Sequence, residues 1–411
     1  MRFRRALVAC AALSWLVLPL EAQRPSDWRQ WRGSARDGAV EGFAVPQTWP
    51  ERLTQRWRIE VGEGYATPLV IDNRVYMFAR QGEREVMSAL DADTGKELWQ
   101  TGYTATFTMH SATVRHGPGP KSTPAFDNGR LYAIGMTGIV TAFDAATGRQ
   151  IWQNPGSSLV PTFTTHAFSP LVNGGLVIFH LGGHNQGALT ALDVRTGEVR
   201  WSWAGEGPGY GSPIVATLGG TRQLITITQR KLVSMEPATG ALLWERPFVS
   251  SNDTNTTTPM LHGETLIVSG NGEPTAALSV SRRDGQWITE TLWQNADVPL
   301  RLSDAVVAGD VLFGLTTRNA GQYFAVDAVT GKTLWTTEGR QAGHAAISRA
   351  GEYLLSLEDD GELVVARTSR TAFDEVRRYK VAEDATWTPA VFSGRRIFVK
   401  GVSSLALWTI D

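Results

Sequence analysis

The stretch SALDADTGKELWQ (88–100) reads as the end of one strand, a tight turn and a second strand ending on a tryptophan. Its core recurs as DADTGKELW (91–99), DAATGRQIW (144–152), DVRTGEVRW (193–201), EPATGALLW (236–244) and DAVTGKTLW (327–335). All five keep the spacing acid-x-x-Thr-Gly-x-x-x-Trp. Self-similarity of this kind marks a repeat architecture, and a repeat decides the fold before any local signal does.

Two further copies are degraded. RRDGQWITETLW (282–293) keeps a turn glycine and the tryptophan on a longer hairpin, and RTSRTAFDEVRRYKV (367–381) carries Tyr379 in the tryptophan place. Trp57 stands ahead of the first full copy. The aromatic anchors are therefore Trp57, Trp99, Trp152, Trp201, Trp244, Trp293, Trp335 and Tyr379, at intervals of 42–53 residues. That period fits one four-stranded propeller blade. A second phrase, a hydroxyl residue followed by proline, runs in step with the first. It occurs at Thr67, Thr123, Ser169, Ser212, Thr258 and Thr388. Blade six has Ser303-Asp304 at this place and blade seven has Ala345-Ala346. Proline suits the first residue of a strand, where a missing N–H costs little.

The final unit, TPAVFSGRRIFVKGVSSLALWTID (388–411), holds only three strands. The missing fourth is QRWRIEV (55–61) near the N-terminus. The expectation is an all-β, eight-bladed propeller of four-stranded blades over residues 54–411, closed by that N-terminal strand. Closure removes edges that would otherwise invite aggregation.

In the turn, an aspartate can accept backbone N–H bonds two or three residues on, and glycine supplies the left-handed backbone. Leu98 and Trp99 are expected on opposite faces of the fourth strand. Each acid stands alone in its turn, whereas a calcium loop gathers several oxygen ligands in one short segment. The acids therefore read as architectural.

Bulk properties narrow the function classes. The 411 residues carry 39 Lys plus Arg against 40 Asp plus Glu, which is no electrostatic footprint for nucleic acid or an anionic membrane. MRFRR (1–5), the apolar run ALVACAALSWLVLPL (6–20) and a cleavage site after Ala22 read as an export signal over 1–22. The run is shorter than a membrane span of roughly 20 residues. The protein is thus expected to be periplasmic or secreted, peripheral to the outer membrane, not membrane-spanning and monomeric. Cys10, the single cysteine, falls inside the signal. The mature chain can then form no disulfide and no thiolate metal site. No nucleophile elbow, phosphate loop or zinc-protease motif is present.

The A-x-D-x-x-T-G-x-x-x-W phrase resembles the repeat of the quinoprotein-type, PQQ-binding-like β-propellers. Within that group, the length, blade number and export signal resemble the outer-membrane assembly factor BamB family. The resemblance covers about residues 54–411 and implies tryptophans docked between blades. The lead-in DWRQWRGSARDG (27–38) is similar to a segment of related bacterial proteins, and implies that residues 23–53 pack on the propeller through Trp28 and Trp31. Quinoprotein dehydrogenases of this fold hold their cofactor with a disulfide of adjacent cysteines and bind calcium; the disulfide is impossible here. The lipid-bearing cysteine of BamB proteins is also missing after the signal.

Function is therefore sought where the pattern breaks. The loops entering each first strand carry His110, His116, Lys121, His166, Tyr210, Asn255, Arg301, Asp304, His344 and Trp387. The family geometry implies that they gather round one channel mouth. The ligand-binding candidates are His116, Lys121, His166, Tyr210, Arg301, Asp304, His344 and Trp387. Asp304 and His344 lie at the two blades that lack the hydroxyl-proline phrase, and read either as an acid/base or ligand pair or as a hydrogen-bonded rim pair. His180 and His184 read as solvated loop residues, and no metal site is expected. Two functions remain open: a non-catalytic scaffold that binds an envelope protein or small ligand, needing no cofactor, or a PQQ- and calcium-dependent oxidoreductase acting on alcohols or sugars.

Overall fold

The computed structural model of the protein describes Arg24, residues 26–156 and residues 166–411. The segment expected to be an export signal, with Cys10, lies outside the described residues. Eight four-stranded antiparallel sheets follow one another along the chain. Blade one shows the plan, with strands Leu69–Ile71, Arg74–Gln81, Arg84–Asp91 and Glu97–Thr104 paired in order. Blade eight is built from Val391–Ser393, Arg396–Lys400 and Ser404–Thr409, and takes its fourth strand from Thr54–Glu60. The ring closes as the sequence predicts. Arg56 reaches Asp411 across the seam at 2.9 Å.

The short first strands of neighbouring blades stand side by side and line the central channel. The second and third strands, such as RVYMFARQ and REVMSALD, are almost wholly buried because neighbouring blades cover both faces. This is why they read as apolar runs without alternation. The fourth strands face outward and are half exposed.

The repeated phrase makes the joint between blades. In its turn, Asp91 Oδ1 accepts from the amide and hydroxyl of Thr94 at 2.9 and 2.8 Å, and these bonds hold the carboxyl below its ordinary range. Gly148 (φ +74°) lies against Trp99 of the preceding blade, so close that a Cβ would sit 2.4 Å from the indole. The same contact pairs Gly95 with Trp57, Gly197 with Trp152, Gly240 with Trp201 and Gly331 with Trp293. Each of these indoles donates its N–H to the next blade, as Trp99 does to Ala145 O at 3.1 Å and Trp293 to Ala328 O at 3.0 Å. Trp335 reaches Ser369 O in blade seven. Trp244 differs, because blade five has the long hairpin and no compact turn; its N–H goes to Gln223 within its own blade. The glycine is thus required twice, for positive φ and for the flat indole above it.

The alternation expected at Leu98 is interrupted. Ala89 opposes Trp99 and Leu90 opposes Glu97, so Leu98 is an extra, bulged residue and 47% exposed. A bulge stands at the matching place in the third-to-fourth strand pairs of blades two to seven. Such a bulge bends the strand and re-aims the side chain beside it.

Candidate functional site

The hydroxyl-proline phrases form a belt at one end of the channel. Thr67 N donates to Thr123 Oγ1, Thr123 N to Ser169 Oγ and Ser169 N to Ser212 Oγ, each at 3.0 Å. Thr67 and Thr388 join their hydroxyls across the seam. In blade six Asp304 takes the hydroxyl's place, and its Oδ1 accepts from Thr258 N at 2.8 Å. Each side chain satisfies a buried amide of the neighbouring blade, which otherwise costs about 1–3 kcal/mol.

The other end of the channel is filled by the lead-in. Trp28 pairs with Val70 of blade one, and Phe126 N of blade two donates to Arg29 O. Gly38 and Val40 bond to Arg349 of blade seven, and Gly42 and Ala44 to Gly394 of blade eight. The segment enters at the end where first and second strands turn, and its tip reaches the belt. There Trp31 donates to Thr258 Oγ1 at 3.0 Å, and Arg32 meets Asp304 at 3.2 Å and Ala305 O at 2.6 Å. Arg36 turns to the opposite wall and donates to Ser169 O (3.0 Å) and Pro170 O (2.8 Å) of blade three. Arg32 and Arg36 escaped the reading of the sequence. Only their place in WRGSARDG, directly after the aromatic anchors Trp28 and Trp31, hinted at them.

The open mouth therefore lies beyond the belt, at the entering loops. Trp387 is its centre. His344 stacks on its ring (5.1 Å, 18°), His116 meets it edge-on (5.0 Å) and Tyr65 lies 6.0 Å away. Lys121 sits over Tyr65 at 5.6 Å and donates to Gly117 O and Gly119 O at 3.2 and 3.3 Å. Burial lowers its pKa to about 8. Tyr65 is raised, first by burial and then by Glu63 and Asp384. Four sequence candidates, His116, Lys121, His344 and Trp387, thus come together, and Tyr65 joins them from a loop the sequence did not single out.

The other candidates are dispersed. Asp304 and His344 do not bond to each other. His344 Nδ1 lies 3.2 Å from Ser303 Oγ and Nε2 3.2 Å from Trp387 O, and burial lowers its pKa. Arg301 is exposed and borders a cleft of about 410 Å3 between blades six and seven, shared with Leu302, Thr317 and Arg340. Tyr210 is buried, with its amide donating to Asn255 O. His166 is buried beside Gly138. His180 corrects the sequence reading: it is fully buried on a strand, with Nε2 3.0 Å from Glu206 O and its ring edge-on to Phe168. A long second strand in blade three carries it into the interior, where burial lowers both His166 and His180 to about 4.

A family model described as outer membrane protein assembly factor BamB matches residues 54–117 and 82–337. The chain belongs to this family. BamB of Burkholderia pseudomallei (strain K96243) is 25% identical over 350 residues, covering 75% of this chain and 86% of that one. The BamB structure from Moraxella catarrhalis superposes with a TM-score of 0.62 at 18% identity, covering 87% of this chain and 98% of that one. A quinohemoprotein alcohol dehydrogenase of Comamonas testosteroni is 30% identical over 145 residues, but these make up 34% of this chain and 19% of that enzyme.

The mouth of this BamB-family propeller does not fit a quinone with calcium. The chain has one cysteine, so adjacent cysteines cannot form the stacking disulfide. Asp304, the carboxylate of the belt, is spent on Arg32 and Thr258 N. Trp387 already has His344 stacked on one face. Among the described residues, one group of three acids has oxygens close enough for a metal, Glu358, Asp360 and Glu362. Arg378 lies 2.7 Å from both glutamates and supplies the positive charge there.

Proposed function

We propose that this BamB-family propeller is an exported, non-catalytic scaffold of the bacterial envelope that takes part in outer-membrane protein assembly. It works by presenting its entering-loop mouth to a protein partner. The observation that carries this reading is the commitment of the belt. Asp304 and His344, the pair that the sequence offered for acid/base chemistry, each hold a neighbouring backbone or side chain in place. What the mouth offers outward is an aromatic cluster around Trp387 beside a cleft edged by Arg301 and Arg340. Aromatic and arginine anchors of this kind dominate protein interfaces.

The test is site-directed photo-crosslinking in an exporting bacterial host. A crosslinker at Arg301 or Trp387 is expected to capture outer-membrane assembly proteins, and one at exposed Val199 on the outer rim is not. Saturable uptake of pyrroloquinoline quinone with calcium, accompanied by dye-linked alcohol oxidation, would overturn the reading. Equal capture from both positions would overturn the choice of face.

A further inference from the structure

Arg36 is a buried cation without a counter-ion. The residue is 3% exposed, and among the described residues no carboxylate lies within ion-pair distance of its guanidinium. Its acceptors are neutral: Gln30 Oε1 at 3.0 Å, Pro170 O at 2.8 Å and Ser169 O at 3.0 Å. These three bonds use three of its five N–H donors, and its Nε has no acceptor. Arg32 cannot help, since it carries the same charge and is spent on Asp304. Burial, with Arg32 adding to it, lowers the Arg36 pKa to about 9. A buried charge left in this state is costly unless something pairs with it.

A cavity of about 250 Å3 lies against this residue. The lead-in residues 35–37 form one wall, and blades four to six, which the lead-in leaves less covered, form the other. Ile214, Met260 and Val307 give that wall an apolar surface. The remaining charged lining groups largely answer one another. Arg349 pairs with Asp37 at 3.2 Å, and the His262 imidazole is hydrogen-bonded to Asp310 at 2.8 Å. Among the side chains that line the cavity, Arg36 and Arg349 against Asp37 leave one positive charge in surplus; Asp310 lies outside the lining and is largely exposed to solvent.

We infer that this cavity binds a small organic carboxylate, with its anionic head set toward Arg36 and its alkyl body against Ile214, Met260 and Val307. One surplus charge matches a monoanion. An inorganic phosphate would bring more charge and more acceptors than the lining supplies, and would waste the apolar wall. The inference is independent of the scaffold reading, because the cavity lies at the channel end opposite the proposed partner face.

The test is isothermal titration of the full mature chain with acetate, butyrate and hexanoate, and with inorganic phosphate, in chloride buffer of fixed ionic strength. Hexanoate is expected to bind saturably at one site, more tightly than butyrate and acetate. Arg36→Met removes the charge and Val307→Trp fills the cavity while leaving Arg36 in place. Each is expected to weaken hexanoate about tenfold or more, the usual scale for a charge-assisted contact or a filled pocket. If Arg36→Met does not fold, Val307→Trp decides the matter alone. The inference is overturned if the wild-type protein takes up no carboxylate saturably, if phosphate binds as tightly as hexanoate, or if Val307→Trp binds hexanoate like the wild type.

Discussion

Asp304→Ala tests whether the departure from the hydroxyl-proline phrase in blade six is structural. The carboxylate performs two tasks. It accepts from Thr258 N at 2.8 Å, joining blades five and six, and it faces Arg32 at 3.2 Å with both side chains buried. Its removal leaves a buried amide without an acceptor and a buried guanidinium without its anion. Arg32 keeps Ala305 O and Asp37 O, so the charge stays hydrogen-bonded but unpaired. Breaking a buried pair from one side costs about 3–5 kcal/mol. Asp304→Asn keeps an oxygen for Thr258 N and should cost less. The double variant Arg32→Met/Asp304→Ala removes both charges and should be more stable than the two single losses added together, by about 1.5 kcal/mol or more. Urea unfolding of the four proteins, read by tryptophan fluorescence and circular dichroism, measures this cycle. A loss under about 1 kcal/mol for Asp304→Ala, or additive single losses, would refute the view that this pair pins the lead-in inside the channel.

Three further outcomes follow from the same geometry. Gly148→Ala drives a methyl into Trp99, whereas Gly129→Ala, at a nearly equal φ, meets nothing within 4 Å; the first should cost at least about 2 kcal/mol and the second about 1 kcal/mol in urea unfolding, and equal losses would contradict the turn-on-indole joint. His166 and His180 titrate near 4 in the folded chain against about 6.5 unfolded. Because folding favours their neutral forms, stability is full above pH 6.5, falls as pH drops toward 4 by up to about 1.4 kcal/mol per pH unit for each histidine, and levels off below. Urea midpoints for the wild type and His166→Asn/His180→Asn should diverge in slope within that window, and parallel slopes would sink the assignment. Deleting residues 54–60 exposes the third strand of blade eight, and the chain should run as aggregate in size-exclusion chromatography; a monodisperse, cooperatively unfolding product would speak against ring closure through that strand.

The blades were legible because their chemistry is local and repeated. Asp91, Gly95 and Trp99 state in nine residues a turn whose bonds close within the same segment, and the phrase returns often enough to count. The truncated last unit and Trp57 ahead of the first together announced the closure. The channel was not legible. Asp304 could be read as half of an acid/base pair or of a hydrogen-bonded rim pair with His344, because nothing in the sequence says that Arg32, 272 residues earlier, will meet it. His180 looked solvated because its neighbours in FHLGGHNQG are turn residues, yet the second strand of blade three runs longer than in blade two and carries it inward.

The sequence by itself thus determined the eight blades, their order and the seam, since hydrogen bonds between adjacent strands and an indole on the next turn depend on short-range spacing. The tertiary structure alone decided which mouth stays open. That choice rests on where the lead-in spends its arginines, on Asp304 in blade six and on the Ser169 and Pro170 carbonyls in blade three. A buried cation seeks whatever acceptors the folded ring brings near it, and those partners have no fixed distance along the chain.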